Sequence, residues 1–569
     1  MYKDYLWEAG GGGNVPSAIR YSSRYKTWTA PPDPTIIQRI QDEFEQVELS
    51  DNVKVFMKEL ADRQQRILEA TENKKPVRPN DGLWGFQRAS VRFLLAVKKG
   101  ILAHEMGTGK TVISCRAIEL VQPCKVLIVV PDPAKWSWAN HLREWADWRG
   151  PIYVVNTGKA KTEDFTIIKG KKEDREASLG EAIFSRDSSV VIANYEQVII
   201  HSELIKTAEY DILIVDEAHR CKNRNTRRTK TVMELSERSA YTWLLTGTPF
   251  RNSYGDIWSL LHICHPERFT SYWNFLGLNL TLTRNPFGTV DIIAPQDKDR
   301  FNKMLSGYMF RKTKEEVMPE LPPKIYHNEV IPMTKRQAEI YKEMEEEYLA
   351  NFASDAGISK EDLVEGKVDI NDYRVIAQNT VSQLIRLRQI CLSPSIIGGP
   401  KSSGKLEYLQ SILRDLKDQG EFFLLFSYFK DFIHITEEIL QKSGISYGLI
   451  VGGVSSDKRQ DIESQLNKEE IQAVVGTIGA MGESLNLQKA TTVISMDEDW
   501  VPAVNRQVED RVHRGTIVDS PKIIKVRHKG TVEEDIARAC MRKEKMEDET
   551  VGQLETVRQM LLRRQDSLQ

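Results

Sequence analysis

Two separate parts of the chain alternate short, wholly apolar runs with amphipathic segments. In the first part the runs are VLIVV at 126–130, VVIA at 190–193 and ILIV at 212–215. In the second part they are FFLLF at 422–426, YGLIV at 447–451, AVVG at 473–476, TVIS at 492–495 and IIKV at 523–526. Runs of strand length without polar alternation are typical of parallel strands that are covered on both faces. The pattern therefore predicts an α/β fold with two doubly wound parallel-sheet lobes.

The rest of the chain predicts three further segments. Near the N-terminus a β-prone stretch around Trp28 is followed by prolines and a helical pattern, which predicts a small α+β module. Between the lobes the strand signal fades and amphipathic helices predict helical insertions. A charged helical tail is predicted at the C-terminus. The resulting segments are 1–72, 73–266, 267–400, 401–535 and 536–569.

Composition and charge narrow the choice of partners. The 569 residues carry 79 Lys and Arg against 81 Asp and Glu, and the net charge is -2. A nucleic-acid contact must therefore come from a local basic surface and not from the overall field. The six cysteines form no CxxC pair, which favours reduced thiols over a zinc site or a disulfide framework. With neither a signal peptide nor a membrane span predicted, we expect a cytoplasmic location without membrane contact.

A glycine-rich sequence, AHEMGTGKT at 103–111, follows an apolar run and precedes a helical pattern. Glycines allow backbone N–H groups to approach phosphates, and the start of a helix adds partial positive charge. Lys110 would then contact the β- and γ-phosphates, and Thr111 would hold Mg²⁺. His104 occupies the place of the first glycine in the phosphate-loop pattern, which leaves a glycine-rich surface turn as the alternative.

Two adjacent carboxylates follow the apolar run at 212–215. Asp216 and Glu217 are placed by this run at the carboxyl end of a buried strand, where open α/β sheets bind their ligands. An Asp in this position can hold Mg²⁺, and Glu217 can polarise an attacking water. The alternative is a pair of carboxylates at the start of an exposed turn.

These residues resemble superfamily-two helicases, and more closely the Swi/Snf-like DNA translocases. DEAH at 216–219 after a phosphate loop is similar to the signature of the superfamily. Further resemblances lie, in order along the chain, in LWGFQRASVRFLL, VLIVVPDPAKWSWANHLREW, ANYEQV, LLTGTPFRNSYGDIWSLLHI, LFSYF, TIGAMGESLNLQKA and DEDWVPAVNRQVEDRVHRG. Taken alone, RQVEDRVHR would fit a salt-bridged helix face better than an arginine-finger motif. The resembling segments run from about 83 to 534.

The resemblance implies two RecA-like lobes and a shared site for ATP and Mg²⁺. The implied catalytic residues are Lys110, Asp216, Glu217, Arg511 and Arg514. The two arginines would reach the γ-phosphate, and Gln87 would read the adenine base. The implied metal ligands are Thr111 and Asp216. The implied ATP-binding set is Phe86, Gln87, Glu105, Met106, Gly107, Thr108, Gly109, Lys110, Thr111, Gly482 and Gln507.

The resemblance also implies contacts to the backbone of DNA, largely without base readout. The candidates are Lys135, Trp136, Asn194, Tyr195, Thr246, Gly247, Thr248 and Ser427. A basic run after DEAH adds Arg224, Arg227, Arg228 and Lys230, for which a solvated charge cluster is the alternative. The N-terminal segment resembles modules of bacterial and phage members and the Harp-type modules of annealing helicases. Its Arg20, Arg24, Lys26 and Trp28 would then touch DNA, unless Trp28 fills the core of the module.

Three functions stay open on this evidence. The first is an ATP-dependent translocase on duplex or forked DNA that remodels forks, anneals strands or displaces proteins. The second is a helicase that separates strands of DNA or RNA. The third is a nucleotide-gated subunit of a larger defence or restriction complex. A monomer is expected, associated with the nucleoid or, for a viral protein, in the host cytoplasm.

Overall fold

The structure is a computed structural model, and its described residues form two compact units. The described ranges are 20–22, 27–29, 51–155, 164–185, 187–250, 253–284, 290–356, 378–482, 485–513, 519–538 and 540–541. Described residues up to Thr313 belong to the first unit, and those from Lys314 onward belong to the second.

An eight-stranded sheet with only parallel pairings organises the first unit. Its strand order is β12-β3-β9-β8-β4-β7-β5-β6. In chain order the strands are β3 (Lys99–Leu102), β4 (Lys125–Val130), β5 (Ile152–Val155), β6 (Thr166–Ile168), β7 (Ser189–Asn194), β8 (Tyr210–Asp216), β9 (Ser239–Leu245) and β12 (Met309–Phe310). The apolar runs of the sequence become the central strands β4, β7 and β8.

Helices connect the strands of the first unit. They are α1 (Asp51–Glu72), α2 (Gly85–Val97), α3 (Lys110–Val121), α4 (Lys135–Trp145), α5 (Lys172–Phe184), α6 (Tyr195–Ile200), α7 (Ser202–Ile205), α8 (Arg227–Glu237), α9 (Ile257–Cys264), α10 (Tyr272–Asn279) and α11 (Lys298–Ser306). Buried side chains of α2, α3 and α4 pack with those of the sheet into one apolar core, which includes Phe93, Trp138 and Trp243. Parallel strands need such cover because their hydrogen-bonded ladders are buried on both faces.

The second unit contains a six-stranded sheet whose pairings are also all parallel. Its strand order is β13-β18-β17-β14-β16-β15. The strands are β13 (Ile325–Ile331), β14 (Phe423–Ser427), β15 (Tyr447–Ile450), β16 (Ala473–Thr477), β17 (Thr492–Ser495) and β18 (Lys522–His528). Together the two sheets confirm the predicted α/β class with two parallel-sheet lobes.

Helices of the second unit cover its sheet with two apolar clusters. The helices are α12 (Lys314–Val317), α13 (Lys335–Ala356), α14 (Gln378–Leu392), α15 (Gly404–Asp418), α16 (Lys430–Lys442), α17 (Ser456–Asn467), α18 (Ile478–Met481) and α19 (Pro502–Glu509). Residues 532–538 are also helical.

The region between the predicted lobes is not purely helical, and here the structure corrects the sequence interpretation. Residues 267–400 contain an antiparallel hairpin, β10 (Leu280–Arg284) with β11 (Val290–Pro295), as well as β12 and β13. β12 joins the sheet of the first unit and β13 joins that of the second. The sequence pattern missed them because β12 has only two residues and β13 is largely exposed, so neither shows a long apolar run.

The N-terminal strand pair is present as predicted. β1 (Arg20–Ser22) and β2 (Thr27–Thr29) pair antiparallel, with Tyr21 opposite Trp28. The predicted helix that ends at Glu72 is α1. Arg24, Lys26 and the predicted tail from 542 onward lie outside the described residues.

Candidate functional site

The phosphate loop joins β3 to α3 at the carboxyl edge of the first sheet. Gly107 and Gly109 adopt φ angles of 79° and 83°, in the left-handed region that favours glycine. A Cβ atom on Gly109 would lie 2.6 Å from Nε2 of Gln87. Both the backbone conformation and the close approach therefore require glycine at position 109.

Lys110, the first residue of α3, points back into the loop. Its Nζ donates to the carbonyl oxygens of His104 and Glu105 at 2.8 and 3.0 Å. The hydroxyl of Thr108 also donates to the Glu105 carbonyl, at 2.7 Å. These acceptors are neutral, whereas a phosphate oxygen would form a stronger, charge-assisted hydrogen bond with the same ammonium group. The lysine is thus held where a phosphate can replace its present partners.

The start of α2 contacts the same loop through Gln87. Its Nε2 donates to the Thr108 carbonyl at 3.1 Å, and its Oε1 accepts from the backbone N–H of Trp84 at 3.0 Å. Phe86 is buried beside His104, with ring centroids 6.0 Å apart. Two of the predicted ATP-binding residues, Phe86 and Gln87, therefore lie against the phosphate loop.

His104, the unusual residue of the loop, is fully buried. Its Nε2 lies 2.6 Å from the hydroxyl of Ser90, whose own proton is donated to the Phe86 carbonyl at 2.7 Å. The His104 Nε2 must therefore be the donor to Ser90. Burial, together with the nearby Lys110, Lys312 and Arg311, holds the pKa of His104 well below its usual range. A neutral imidazole thus ties the loop to α2.

Asp216 and Glu217 lie at the end of β8. The Asp216 carboxylate accepts from Nε1 of Trp138 and from the backbone N–H of Glu217, both at 2.9 Å. Glu217 adopts a φ of 51°, an uncommon angle for a residue other than glycine, and its carboxylate lies 3.2 Å from Nδ1 of His219. Burial and the neighbouring Glu217 charge raise the pKa of Asp216 to about 6. Two partly buried carboxylates side by side favour a bound cation.

Thr111 and Asp216 are the predicted Mg²⁺ ligands. Among the residues that the structure describes, no cluster of three or more His, Cys, Asp or Glu side chains could hold a metal ion. A Mg²⁺ ion that is bound mainly by nucleotide phosphates needs only one or two protein oxygens. The paired carboxylates at the end of β8 fit that kind of site.

In the second unit, Arg511 follows the C-terminal end of α19 and is buried. Its guanidinium donates to the Leu485 carbonyl at 3.2 Å and to the Gly482 carbonyl. Gln507 lies beside the same glycine, because a Cβ atom on Gly482 would be 3.2 Å from Gln507 Oε1. Three of the predicted nucleotide-binding residues are thus neighbours in this unit, while Arg514 lies outside the described residues.

Comparisons with known proteins match both units. Residues 60–396, more than half of the chain, match the SNF2-related domain, and residues 404–516 match the helicase conserved C-terminal domain. The chain belongs to the SNF2-related family. This membership confirms the predicted recognition and the predicted enzyme class, a superfamily-two ATP hydrolase.

Several SNF2-related proteins align with most of the chain. The ISWI chromatin-remodeling complex ATPase ISW1 of Saccharomyces cerevisiae is 26% identical over 86% of this chain and 42% of its own length. The SWI/SNF subunit snf22 of Schizosaccharomyces pombe is 28% identical over 77% and 26%. The probable ATP-dependent DNA helicase CHR12 of Arabidopsis thaliana is 29% identical over 78% and 39%. This chain therefore spans less than half the length of these relatives.

One solved structure is also similar to this chain. The SWI2/SNF2 ATPase core of Sulfolobus solfataricus, solved in complex with dsDNA, matches with 23% identity and a TM-score of 0.34. The match covers 85% of this chain and 95% of that chain.

Several of the DNA-contact candidates of this SNF2-related chain are interior residues. Trp136 packs in the core of the first unit. Lys135 is buried, donates to the Val155 carbonyl at 3.0 Å and pairs with Asp132 at 2.6 Å. The atoms of these two side chains are packed within the unit, and their contact with DNA stays a prediction.

Asn194 and Tyr195 are also buried, and both have structural partners. Asn194 caps the start of α6 by accepting from the backbone N–H of Gln197 at 2.8 Å. The Tyr195 hydroxyl donates to the carbonyl oxygen of Asp216 at 2.5 Å. In this position Tyr195 supports the DEAH turn, a role that the sequence did not predict.

The segment 246–248 follows β9 and is buried as well. The Thr246 hydroxyl accepts from the backbone N–H of Thr248 at 3.1 Å and lies 3.4 Å from Nδ1 of His219. The Gly247 carbonyl accepts from Arg311 at 3.0 Å, and a Cβ atom on Gly247 would lie 3.0 Å from Met106. This segment therefore connects the DEAH turn with the phosphate loop.

Ser427 ends β14 in the second unit and is buried. Its hydroxyl accepts from the backbone N–H of Phe429 at 3.2 Å. The Tyr428 side chain next to it is half exposed, and the guanidinium of Arg388 lies 4.8 Å from the centre of its ring. The exposed group at this strand end is thus Tyr428 and not Ser427.

The basic run after DEAH lies at the start of α8. Arg227 and Lys230 are exposed. Arg228 pairs with Glu196 at 3.1 Å and lies over the ring of Tyr195, 5.1 Å from its centre. Arg224 lies 3.8 Å from the centre of the Tyr272 ring. Arg224 and Arg228 are therefore held by neighbouring side chains. Arg227 and Lys230 are exposed, so they can contact a polyanion such as DNA.

Sequence reasoning missed the residues that surround these motifs. Arg311 and Lys312 border the phosphate loop. Lys314 and Lys324 border the segment DEDWVPAVNRQVEDRVHRG at 497–515, called the sixth motif below. The only feature of the sequence that marks these four residues is a cluster of basic side chains in a segment without an apolar pattern. No helix among the described residues is long and apolar enough to cross a bilayer.

Proposed function

We propose that this chain is an ATP-driven translocase on duplex DNA. The observation that carries the proposal is the arrangement at the carboxyl edge of the first sheet. There a lysine on a glycine loop, a glutamine bonded to that loop and two adjacent carboxylates lie on hydrogen-bonded neighbouring segments. Such a group is suited to bind a nucleoside triphosphate and to assist attack of water on its γ-phosphate.

Each side chain has a distinct task in this proposal. Lys110 binds the phosphates, and its charge balances the negative charge that develops on them. Glu217 holds the attacking water and accepts its proton. Mg²⁺ would be held by Asp216 and Thr111 and would neutralise phosphate charge. Arg511 and Arg514 bind the γ-phosphate from the second unit, since a guanidinium matches phosphate in two-pronged geometry.

The choice of DNA as the polymer rests on family membership and on the exposed cations of α8. The names of relatives refer to chromatin remodelling and to a DNA helicase. Arg227 and Lys230 provide a local basic surface on a chain with a net charge of only -2. Contacts of this kind bind phosphates without reading sequence, and their strength falls with salt. We propose that the translocase remodels forks, anneals strands or displaces proteins. We further propose that it acts as a monomer in the cytoplasm or at the nucleoid.

A strand-separating helicase is the second candidate, because it would use the same nucleotide site. A motor subunit of a larger defence or restriction complex is the third, because such a subunit would also use this nucleotide site. The type of DNA that activates turnover separates these candidates.

The first experiment measures ATP turnover with single-stranded, duplex, forked and RNA ligands. We expect duplex or forked DNA to raise the rate strongly, and Lys110→Ala to lower it by about 10³-fold because the phosphate charge loses its partner. Lys98→Ala, which changes an exposed lysine at the end of α2, is the matched control. Displacement of a third strand from duplex DNA without unwinding would support translocation. Efficient unwinding of tailed duplexes would favour the helicase, and turnover independent of DNA would refute the motor.

A further inference from the structure

A segment of chain at 309–326 is bonded to a nucleotide motif in each of the two units. In the first unit it runs beside the phosphate loop. The backbone N–H of Ala103 donates to the Phe310 carbonyl at 2.8 Å, and that of Glu105 donates to the Lys312 carbonyl at 3.0 Å. Residues 309–310 form β12, which pairs with β3 directly before the phosphate loop. The chain enters the second unit at Lys314.

In the second unit the segment holds the end of α19 from several directions. Lys314 Nζ donates to Oδ1 of Asp510 at 2.8 Å and to the His513 carbonyl at 3.0 Å. Lys324 pairs with the same Asp510 oxygen at 2.9 Å. The Pro322 carbonyl lies 2.8 Å from Nε2 of His513. The segment therefore holds Asp510 and His513, the residues on either side of Arg511 and Val512.

The pairing between these groups is strong because it is largely removed from water. The side chains of Lys314 and Asp510 are 9% and 14% exposed. Burial alone would raise the pKa of Asp510, but Lys324 and Lys314 outweigh it and hold that pKa well below its usual range. Burial alone would also raise the pKa of Glu509, which Lys324 and Lys525 lower. The carboxylates thus stay ionised in the interior because the cations are present.

The position of these charges on α19 explains why they matter for Arg511. A helix carries partial negative charge at its C-terminal end, and α19 places Glu509 and Asp510 at that end. Three negative groups in one buried place would repel each other without a compensating cation. Lys314 and Lys324 supply cations to Asp510. Lys324 and Lys525 supply cations to Glu509, and all three lysines come from outside the helix. The path of the backbone at Arg511 therefore depends on two lysines that are nearly 200 residues earlier in the chain.

We propose that Lys314 and Lys324 are positioning residues that hold the sixth-motif loop so that Arg511 is ordered before nucleotide arrives. This proposal rests on the proposed ATPase function for its kinetic consequence, but its structural consequence is independent of turnover. Neither lysine contacts the substrate in the proposal. Both act through Asp510 and the backbone of His513.

The test compares Lys314→Met and Lys324→Met with Lys314→Arg in the full chain. Methionine keeps most of the volume but removes the charge, whereas arginine keeps the charge. Lys342→Met, at an exposed position of α13, is the matched control. The measurements are the kcat and KM of DNA-stimulated ATP turnover, and hydrogen exchange of peptides that cover residues 502–513.

We expect Lys314→Met to lower kcat by about 10-fold with KM for ATP changed by less than about 2-fold, since ground-state binding relies on the first unit. Exchange in 502–513 should be faster by about 10-fold, and Lys314→Arg should restore most of both values. Asp510→Asn combined with Lys314→Met should cost less than the sum of the two single changes, because both remove the pair between Lys314 and Asp510.

Two outcomes would overturn the proposal. One is unchanged kcat and unchanged exchange in 502–513 for Lys314→Met, and the other is a loss of kcat that Lys314→Arg fails to restore while exchange stays that of the wild type. If Lys314→Met does not fold, Lys314→Arg and Asp510→Asn provide the same comparison. If the wild type itself does not hydrolyse ATP, the proposed function fails, and the exchange measurement still decides on Lys314.

Discussion

The two nucleotide motifs are held in place by different forces. In the first unit, Lys110 is bonded to the neutral carbonyl groups of His104 and Glu105. In the second unit, the loop after α19 is held by ion pairs from Lys314 and Lys324 to Asp510. Neutral acceptors are easily exchanged for a charged phosphate, while a buried ion pair is costly to break. The difference indicates a first unit that rearranges around nucleotide and a second unit whose loop is built in advance.

Asp216 of the first unit and Asp510 of the second are both partly buried, but their pKa values are shifted in opposite directions. Burial and the charge of Glu217 raise the pKa of Asp216 to about 6, whereas the two lysines hold that of Asp510 well below its usual range. Lys110 also lowers the pKa of Asp216 but does not outweigh burial and Glu217, whereas the two lysines beside Asp510 do outweigh burial. The first site is thus short of positive charge, which is the condition that a nucleotide-bound cation relieves.

The largest effect should come from the water-activating residue of the first unit. Glu217→Gln keeps the shape of the side chain but removes its capacity to accept a proton, so kcat should fall by about 10²-fold or more. ATP affinity should change little, because phosphate binding relies on Lys110. Single-turnover hydrolysis and binding of a fluorescent ATP analogue measure the two quantities.

The matched control is Glu237→Gln, at the exposed end of α8. A Glu217→Gln protein that turns over ATP at a rate close to that of the wild type would assign the proton transfer to another group. It would also weaken the comparison, since the first unit would then hold only the phosphates.

The sequence predicted the central strands well because their burial leaves a continuous apolar run. β4, β7 and β8 match the runs VLIVV, VVIA and ILIV closely. β3 and β9 were not predicted, because KGIL and SAYTWLL begin with polar or small residues. A strand can therefore be predicted from the sequence where both of its faces are buried along its whole length. It is missed where the strand starts at the edge of the core.

The candidate site was predictable in its phosphate chemistry but not in its support. Glycine, lysine and paired carboxylates have short-range spacing that a sequence pattern can detect. The contact of Tyr195 with the Asp216 carbonyl and that of Lys314 with Asp510 join residues 21 and 196 positions apart. Such contacts follow from tertiary packing, which no local pattern specifies. For the same reason the sequence did not predict that Trp136, a candidate for contact with DNA, lies in the core of the first unit.

A pH-dependent test examines how the second unit is held together by buried groups. His528 is buried, with Nδ1 2.9 Å from the Ile331 carbonyl and Nε2 3.0 Å from that of Cys391. Burial and the nearby Lys405 lower its pKa to about 4. In the unfolded state His528 binds a proton near pH 6.5, whereas in the folded state it does so only near pH 4. The free energy of unfolding therefore falls as the pH drops from 6.5 towards 4. By linkage this loss is about 2 kcal/mol at pH 5.

Native-state hydrogen exchange of peptides from β17 and β18, after correction for the intrinsic rate, measures this loss between pH 8 and pH 5. His528→Gln should be less stable than the wild type at pH 8, where the group is neutral in both states, but should lose less stability on acidification. Parallel curves for the two proteins would show that His528 does not contribute to the pH dependence.

The smallest effect should come from the hydrogen bond that ties the phosphate loop to α2. Ser90→Ala leaves the buried His104 Nε2–H without its 2.6 Å acceptor, which should cost about 1 kcal/mol of stability and raise KM for ATP a few-fold. The rise in KM follows because α2 also carries Gln87, which bonds to the loop at Thr108. Adding His104→Phe removes the unsatisfied donor while it keeps an aromatic ring against Phe86 and Phe310. Stability should then partly recover although KM stays raised. Recovery of both would mean that packing alone positions the loop, and recovery of neither would mean that the histidine has a partner other than Ser90.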